Sequence, residues 1–292
     1  MTAIIFGANG QDAFYLNKLL IKEKIQVHQV SRSGRFIKGN VGDYNFVETI
    51  IHKIQPTYIF HLAADSSISH KFLFSNHNSI SNGTLHILES VKKHSPSSKV
   101  FLSGSAEQFL NKNNPIDENT PFHAKSSYAS ERIYSTYLAR YYREAFQLKI
   151  FVGFFFHHDS PLRNENHLNQ KIIQFVKRIK QKSVNNEKLF IGNKEIKKEF
   201  NFAGDIVAAV WLLVNQDIIF EVIIGSGEAF KIEKWLEISF LKVNEDWKNW
   251  IEVDNFFKVE YHTIVSNPNL LKSMGWMPKY DIYDLNELMF NI

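Results

Sequence analysis

Near the start of the chain stands Phe6-Gly7-Ala8-Asn9-Gly10-Gln11-Asp12-Ala13, between a short apolar run and an amphipathic segment. Glycine lets the backbone turn sharply and approach a ligand closely, and a helix that begins at such a turn offers unpaired N–H groups to an anion. Ala13 is small enough for that helix to pack closely on the preceding strand. A strand, a glycine turn and a helix in this order predict a pyrophosphate-binding loop, although the spacing alone also fits an ordinary tight turn.

Short apolar runs alternate with amphipathic segments through the first half of the chain. This alternation predicts an α/β fold with a Rossmann-type, doubly wound parallel sheet. The expected buried strands are Ala3–Phe6, Gln26–Val30, Thr57–His61, Lys99–Ser103 and Lys149–Gly153. The expected helices of this half lie at about 12–23, 44–54, 79–94 and 128–146. In the less regular second half we expect helices near 167–182, 203–215, 231–241 and 283–290, and a strand at about 220–224 that returns to the sheet.

The chain has 292 residues, which is enough for one large α/β domain or for a nucleotide-binding domain with a smaller companion. We expect residues 1–160 to form an NAD(P)-binding Rossmann domain, completed by returning segments near 200–225. Residues 161–292 are expected to form mainly a smaller, C-terminal substrate-binding region. The two parts should interleave, because no linker long enough to separate independent domains is visible.

Composition excludes several classes of protein. The chain has no cysteine, so disulfides, thiolate nucleophiles and cysteine-based metal sites are excluded. A net charge of +4 is too mild to indicate nucleic acid. The first apolar run is too short for a signal peptide, and Ile206–Val214 is far shorter than a membrane helix. We expect a cytoplasmic protein with no nucleic-acid or membrane partner, and no metal site, since His157-His158-Asp159 lacks a metal-binding pattern.

The segment after the second strand addresses the choice of cofactor. It reads Ser31-Arg32-Ser33-Gly34-Arg35 and lacks the carboxylate that would bind the adenosine ribose of NAD. Two arginines suit a 2′-phosphate, so NADP is favoured over NAD, unless both arginines are merely exposed loop residues. Asp43 follows, where it could reach the adenine or cap the helix that starts near residue 44.

Candidate catalytic residues follow the fourth strand and open the next long helix. Ser105 and Glu107 stand at the carboxyl end of the strand, where an open parallel sheet binds its ligand. Tyr128 and Arg132 are four residues apart and therefore share one helix face. A cation there would stabilise a tyrosinate by charge and hydrogen bonding, and Ser105 could bridge Tyr128 and a sugar hydroxyl. A lone Tyr–Arg pair on a helix more often has a structural role. Here the pair follows the glycine loop and the strand that ends near Ser105, and this order indicates a catalytic role.

Taken with these motifs, the chain resembles the extended short-chain dehydrogenase/reductase family and, within it, the GDP-mannose 4,6-dehydratases, over nearly its whole length. The cofactor loop, the Ser105-Ala106-Glu107 segment and the helix around Tyr128 carry the resemblance. Further matching stretches are His61-Leu62-Ala63-Ala64-Asp65-Ser66, Asp159 to Asn166, Gly192 to Asp205, and Gly275-Trp276-Met277-Pro278.

The resemblance implies a role for each matching residue. The implied catalytic residues are Ser105, Glu107, Tyr128 and Arg132. The expected cofactor-binding residues are Gly7, Asn9, Gly10, Gln11, Asp12, Arg32, Asp43, Leu62, Ala63, Ala64, Tyr128, Arg132, His157 and Arg163. The expected substrate-binding residues are Ser66, Ser105, Glu107, His157, Asn166, Lys198, Lys258 and Glu260. The implied reaction oxidises a GDP-hexose at C4, removes the C5 proton, eliminates water at C6 and returns the hydride there.

Several positions depart from the pattern of the family. Arg132 stands where the family has lysine, Lys198 where it has a phosphate-binding arginine, and His157 where it has asparagine. The loop after the second strand is shorter than in the dehydratases, where the resemblance implies that it helps to build a tetramer. We therefore expect a homodimer. Two alternatives therefore stay open: an enzyme that only oxidises, reduces or epimerises at C4, and a non-catalytic nucleotide-binding homologue.

Overall fold

A parallel sheet forms the centre of the computed structural model, which describes residues 1–65, 67–184, 187–254 and 261–291. The strands of the chain are β1 Thr2–Phe6, β2 Gln26–Ser31, β3 Ile37–Lys38, β4 Tyr58–His61, β5 Lys99–Ser105, β6 Lys149–Phe155, β7 His158–Asp159, β8 Leu189–Ile191, β9 Lys197–Glu199, β10 Asn201–Phe202, β11 Glu221–Ile224, β12 Ala229–Lys231, β13 Ile251–Val253 and β14 Thr263–Ile264. The α-helices are α1 Gln11–Lys22, α2 Tyr44–Ile54, α3 Leu73–Asn76, α4 Gly83–His94, α5 Ser127–Phe146, α6 Leu168–Lys180, α7 Ala203–Val214, α8 Ile232–Leu241, α9 Asn269–Ser273 and α10 Ile282–Asn291.

The central sheet has seven strands in the order β11-β6-β5-β4-β1-β2-β3, all parallel. The predicted doubly wound parallel sheet is confirmed, and β11 is the strand that was expected to return to it. In β1, Phe6 lies opposite Val30 of β2 and His61 of β4. The carboxyl ends of these strands therefore share one edge of the sheet, where ligands bind in this type of fold.

Helices cover both faces of the sheet, which is why its strands are continuous apolar runs. Ile4 and Phe6 belong to the core that includes α2, α4 and α5, whereas Ala3 and Ile5 belong to the core under α1 and α7. A third cluster, around the fully buried Trp235, joins α6, α8 and α10. Among the described residues, no helix combines the length and apolarity that crossing a membrane requires.

Elements of the second half meet through single polar side chains. Asp205, in the first turn of α7, accepts hydrogen bonds from the backbone N–H groups of Lys279 and Tyr280, both at 2.9 Å. Its own carbonyl accepts a bond from the Trp276 indole at 3.0 Å. These bonds tie the Gly275–Pro278 segment to the sheet domain. The division into domains at residue 160 stays a prediction.

The structure departs from the sequence expectation at α4. The predicted helix of residues 79–94 is joined to α3 through a π-helical segment, His77–Asn82. Its neighbourhood is tight, since a Cβ on Gly83 would lie 3.0 Å from Val41 and 3.2 Å from His61. Such tertiary packing, invisible to local periodicity, accounts for the small residue at the start of α4.

Two glycines with left-handed backbone allow a matched test of the β1–α1 turn. Gly7 (φ +96°) and Gly275 (φ +92°) share the conformation, but an added Cβ would lie 2.6 Å from the Ala63 nitrogen at Gly7 and in open space at Gly275. We expect Gly275→Ala to lower the free energy of unfolding by about 1–2 kcal/mol through backbone strain alone. Gly7→Ala should lower it by about 3 kcal/mol or more, because a clash adds to the strain. Equal losses in urea unfolding would contradict the close approach.

Candidate active site

The glycine turn after β1 is built for a close backbone contact. The Gly7 and Ala8 N–H groups both donate to the Val30 carbonyl, at 3.0 and 3.1 Å. The Asn9 amide donates to the Ser31 hydroxyl at 2.7 Å and to the Ser33 hydroxyl at 3.0 Å, which joins the turn to the loop after β2. Helix α1 begins at Gln11 with Gly10 as its N-cap and without a side-chain acceptor there. Its first N–H groups are therefore available to an anion.

The first two side chains of α1 are occupied by the segment after β6. The Gln11 amide donates to the His158 carbonyl at 3.2 Å and accepts from the Ser160 hydroxyl at 2.8 Å. One ring nitrogen of His158 lies 3.0 Å from the Asp12 carboxylate, and the other lies 2.8 Å from the Phe156 carbonyl. Because both oxygens can only accept, this geometry requires the imidazolium form of His158.

The charges of this pair reinforce each other. Burial raises the pKa of Asp12, but His158, Arg163 and Arg132 outweigh it, so the pKa lies below its ordinary value. Burial lowers the pKa of His158, but Asp12 outweighs it, so that pKa is raised. Arg132 is thus close enough to Asp12 to interact electrostatically with the first turn of α1.

The two residues expected near the adenosine, Arg32 and Asp43, differ from each other in their contacts. Arg32 is largely exposed, and its guanidinium lies 3.9 Å from the Asp65 carboxylate. Asp43 caps α2 by accepting a hydrogen bond from the Phe46 N–H at 3.2 Å. Capping is therefore the role that the structure shows for Asp43, and its contact with the adenine stays a prediction.

Tyr128 and Arg132 meet on the inner face of α5, as their spacing predicts. Both are buried, with 8% and 4% of their surface exposed. The Arg132 Nε–H donates to the Tyr128 hydroxyl at 3.2 Å, and its Nη1 donates to the Ser103 carbonyl and, at 2.9 Å, to the Ser103 hydroxyl. The guanidinium thus connects the phenol to β5, the strand that leads to Ser105 and Glu107.

The Ser105–Glu107 segment forms a short 3-10 turn at the end of β5. The Ser105 hydroxyl accepts a hydrogen bond from the Glu107 N–H at 3.2 Å. The Glu107 carboxylate accepts one from the Tyr261 hydroxyl at 3.0 Å, across 154 positions of the chain. Tyr261 therefore orients the carboxylate of a residue that the sequence singles out as catalytic.

Basic side chains gather after β6, around the carboxylate of Asp159. Asp159 lies 3.3 Å from Arg163, which donates through Nη2 to His167 at 3.1 Å. Burial, and then Arg163, lower the pKa of His167 to about 4, so this imidazole is neutral and accepts. Burial also lowers the pKa of Lys198, which is 9% exposed and has no hydrogen-bond or ion-pair partner within the described ranges. His157 is kept neutral in the same way, since burial holds its pKa well below the ordinary value.

The remaining expected residues divide into three groups. Leu62, Ala63 and Ala64 follow β4 beside the glycine turn, half-buried. Asn166 is exposed. Three expected substrate-binding residues lie outside the described residues, namely Ser66, Lys258 and Glu260. In the part of the chain that the structure describes, no group of three or more His, Asp or Glu residues could hold a metal ion.

The sequence did not predict three contacts of the site residues. These are the contacts of Ser103 with Arg132, of Tyr261 with Glu107 and of His158 with Asp12. Only Ser103 had a local signal, because it is two residues before Ser105 and alternate residues of a strand share a face. Tyr261 and His158 reach their partners from distant segments, and no spacing rule links such positions. The roles assigned to the site residues stay predictions.

The Asp12–His158 pair makes stability depend on pH. His158 has a raised pKa, so its contribution is complete below 6.5 and is lost as the pH rises through its folded value. Asp12 has a lowered pKa, so its contribution is present above 3.8 and is lost as the pH falls through its folded value. We expect Asp12→Asn to lower the free energy of unfolding by about 1.5–3 kcal/mol at pH 5–6. The difference from wild type in urea unfolding should shrink at alkaline pH, and a difference that grows there would contradict the imidazolium assignment.

Comparison with known proteins agrees with this geometry. GDP-mannose 4,6 dehydratase 1 of Arabidopsis thaliana is 29% identical over 319 residues, which cover 98% of this chain and 88% of that protein. The Homo sapiens GDP-mannose 4,6 dehydratase is 29% identical over 271 residues, covering 83% and 72%. Two solved structures share the fold: Bacillus anthracis dTDP-glucose 4,6-dehydratase in complex with NAD (TM-score 0.86, 18% identity, 100% and 96% covered) and RMD from Pseudomonas aeruginosa complexed with NADPH (0.87, 17%, 99% and 97%). A profile of the family described as GDP-mannose 4,6 dehydratase matches residues 31–289, and the chain belongs to this family.

Proposed function

We propose that the protein is an NAD(P)-dependent nucleotide-sugar enzyme that converts a GDP-hexose to its 4-keto-6-deoxy form. The observation that carries the proposal is the buried Tyr128–Arg132 pair, connected through Ser103 to the strand that ends at Glu107. A phenol held by a cation and a nearby carboxylate are the two groups that C4 oxidation and C5 deprotonation require. Membership in the dehydratase family supports the same reaction.

The residues of the glycine turn fit a dinucleotide. Gly7 lies too close to Ala63 for any side chain, and the first N–H groups of α1 are free to bind a pyrophosphate. A bound nicotinamide would supply acceptance of a hydride from C4 and its return to C6. Arg32, exposed after β2, suits a 2′-phosphate, so we propose NADP, with NAD as the alternative.

The chain's own groups divide the proton transfers between them. Tyr128 takes the proton of the C4 hydroxyl, because the Arg132 Nε–H stabilises the phenolate that must accept it. The resulting 4-keto group acidifies C5, and Glu107 removes the C5 proton. The C6 hydroxyl leaves as water with the proton that Glu107 took from C5, so the carboxylate is regenerated. As the hydride returns to C6, C5 takes up one proton, which balances the proton that Tyr128 accepted from the C4 hydroxyl. Lys198, buried beside Arg163, is the proposed partner of the substrate's phosphates.

The test separates dehydration from C4 chemistry alone. The nucleotide released by denaturing the purified protein identifies the cofactor, and mass spectrometry of GDP-mannose incubated with the holoenzyme shows whether one water is lost. We expect Glu107→Gln to reduce dehydration at least about 100-fold while C4 oxidation still reduces the cofactor. Tyr128→Phe should abolish both steps while the cofactor stays bound.

The exposed Glu228 provides a matched control, and Glu228→Gln should behave as wild type. Dehydration that persists in Glu107→Gln would refute the base assignment. Conversion without loss of water would favour an enzyme that only oxidises, reduces or epimerises at C4. Bound cofactor without turnover of GDP-mannose or of other nucleotide-hexoses would favour a non-catalytic homologue.

We also propose that the protein is a homodimer that pairs through α5. Tyr134, Tyr137 and Tyr141 lie three and seven residues apart, on one stripe of this helix, and are 46–56% exposed. Phe74, in the adjoining α3, is 84% exposed. Exposed aromatic residues gathered on packed helices are typical of protein interfaces.

Sedimentation equilibrium tests this surface. Wild type should show twice the 34.0 kDa of one chain, and the double variant Tyr134→Lys/Tyr141→Lys should sediment as a monomer. Tyr283→Lys, which changes an equally exposed tyrosine on α10, is the matched control and should remain dimeric. A wild-type monomer, or a dimer unaffected by the double variant, would refute the proposed interface.

A further inference from the structure

Ser103 links the catalytic helix to the sheet through a buried side chain. It lies in β5 with 5% of its surface exposed. Its hydroxyl donates to the His61 carbonyl at 3.0 Å, and both its hydroxyl and its carbonyl oxygen accept from Arg132 Nη1. Because the hydroxyl proton is used on His61, a lone pair of the oxygen faces the guanidinium.

The donors of Arg132 are divided between two partners. Nη1 donates to Ser103, and Nε donates to the Tyr128 hydroxyl at 3.2 Å. Nη2 has no hydrogen-bond partner among residues 1–65, 67–184, 187–254 and 261–291. Since the guanidinium is planar and rigid, fixing Nη1 also fixes the direction of Nε.

Oxygens of Ser103, not a carboxylate, hold this buried cation. Within the described chain no acidic side chain forms an ion pair with Arg132. The titratable groups that interact with its charge are Tyr128 on α5, His61 on β4 and Asp12 on α1. Burial and then Arg132 lower the pKa of His61 to about 3, so His61 adds no competing charge.

We propose that Ser103 is a positioning residue, which aims Nε of Arg132 at the Tyr128 hydroxyl and so lets arginine act where the family has lysine. The inference rests on the proposed function in one respect, the role of Tyr128 as proton acceptor. Ser103 acts on Tyr128 only through Arg132, because its other hydrogen bond goes to the His61 carbonyl. Its removal should therefore change the behaviour of Tyr128 only while the arginine is present.

A double-mutant cycle tests this dependence. The variants are Ser103→Ala, Arg132→Lys and the combination of both. In the wild-type background, Ser103→Ala should lower kcat about tenfold and leave KM for GDP-mannose within about twofold, because a misdirected cation weakens the transition state. In the Arg132→Lys background, Ser103→Ala should change kcat by less than about twofold.

A second readout does not depend on turnover. NMR of protein labelled with ¹³Cζ-tyrosine, with Tyr128→Phe for assignment, follows the ionisation of the Tyr128 phenol in the protein without substrate. Ser103→Ala should move this ionisation to higher pH in the wild-type background and leave it in place beside Arg132→Lys. If wild type has no turnover, the proposed function fails, while this titration still decides the role of Ser103.

Ser90 supplies the matched control, because it is fully buried on α4 and its hydroxyl has no hydrogen-bond partner among the described residues. Ser90→Ala should leave kcat and the Tyr128 ionisation unchanged. If Ser103→Ala does not fold, Ser103→Cys keeps the shape of the side chain but replaces the hydroxyl by a larger, weakly accepting thiol, and it should shift the ionisation in the same direction. An ionisation unchanged by the substitution, or shifted equally in both arginine and lysine backgrounds, would overturn the proposal.

Discussion

The site depends on the contact between the Gly7 turn and the chain that follows β4. The Leu62 N–H donates to the Phe6 carbonyl, and the Gly7 backbone lies against Ala63 without room for a Cβ. Strands β1 and β4 therefore end at the same level of the sheet. This common level brings the start of α1 together with the end of β5, so that a long dinucleotide can meet residues from both.

The buried and partly buried cations near these strand ends are compensated in different ways. His158 is paired with Asp12, and Arg163 is paired with Asp159. Arg132 is held by neutral oxygens of Ser103 and Tyr128. Lys198 lies over the Phe200 ring and has no hydrogen-bond or ion-pair partner within the described ranges. A buried charge without an anion is costly, so a site that contains such charges is suited to an anionic ligand. The cations that lack a carboxylate partner are those assigned to the reaction and to the phosphates.

The sequence predicted the strands and helices, whose apolar residues recur at regular local spacing. The five expected strands of the first half and the long helix at Tyr128 are in place because apolar periodicity follows from burial on both faces of the sheet. It could not predict the partners of the site residues: Tyr261 reaches Glu107 across 154 positions and His158 reaches Asp12 across 146. The contact of Asp43 could be predicted from the sequence, because the preference of aspartate for helix N-termini is a local rule. The structure contains this cap, in which Asp43 accepts from the Phe46 N–H.

The hydrogen bonds that hold the buried Arg132 guanidinium bear on whether this member of the family is an enzyme. A buried cation without a carboxylate partner lowers stability, and an apolar residue of similar volume is often neutral or stabilising at such a site. Arg132 could contact a bound nucleotide without its bond to Tyr128, so nucleotide binding alone does not account for a guanidinium that is aimed at the Tyr128 phenol. The chain instead devotes Ser103, a buried residue of the central sheet, to fixing the direction of this group. Arg132 and Ser103 together therefore favour altered but retained catalysis over its loss.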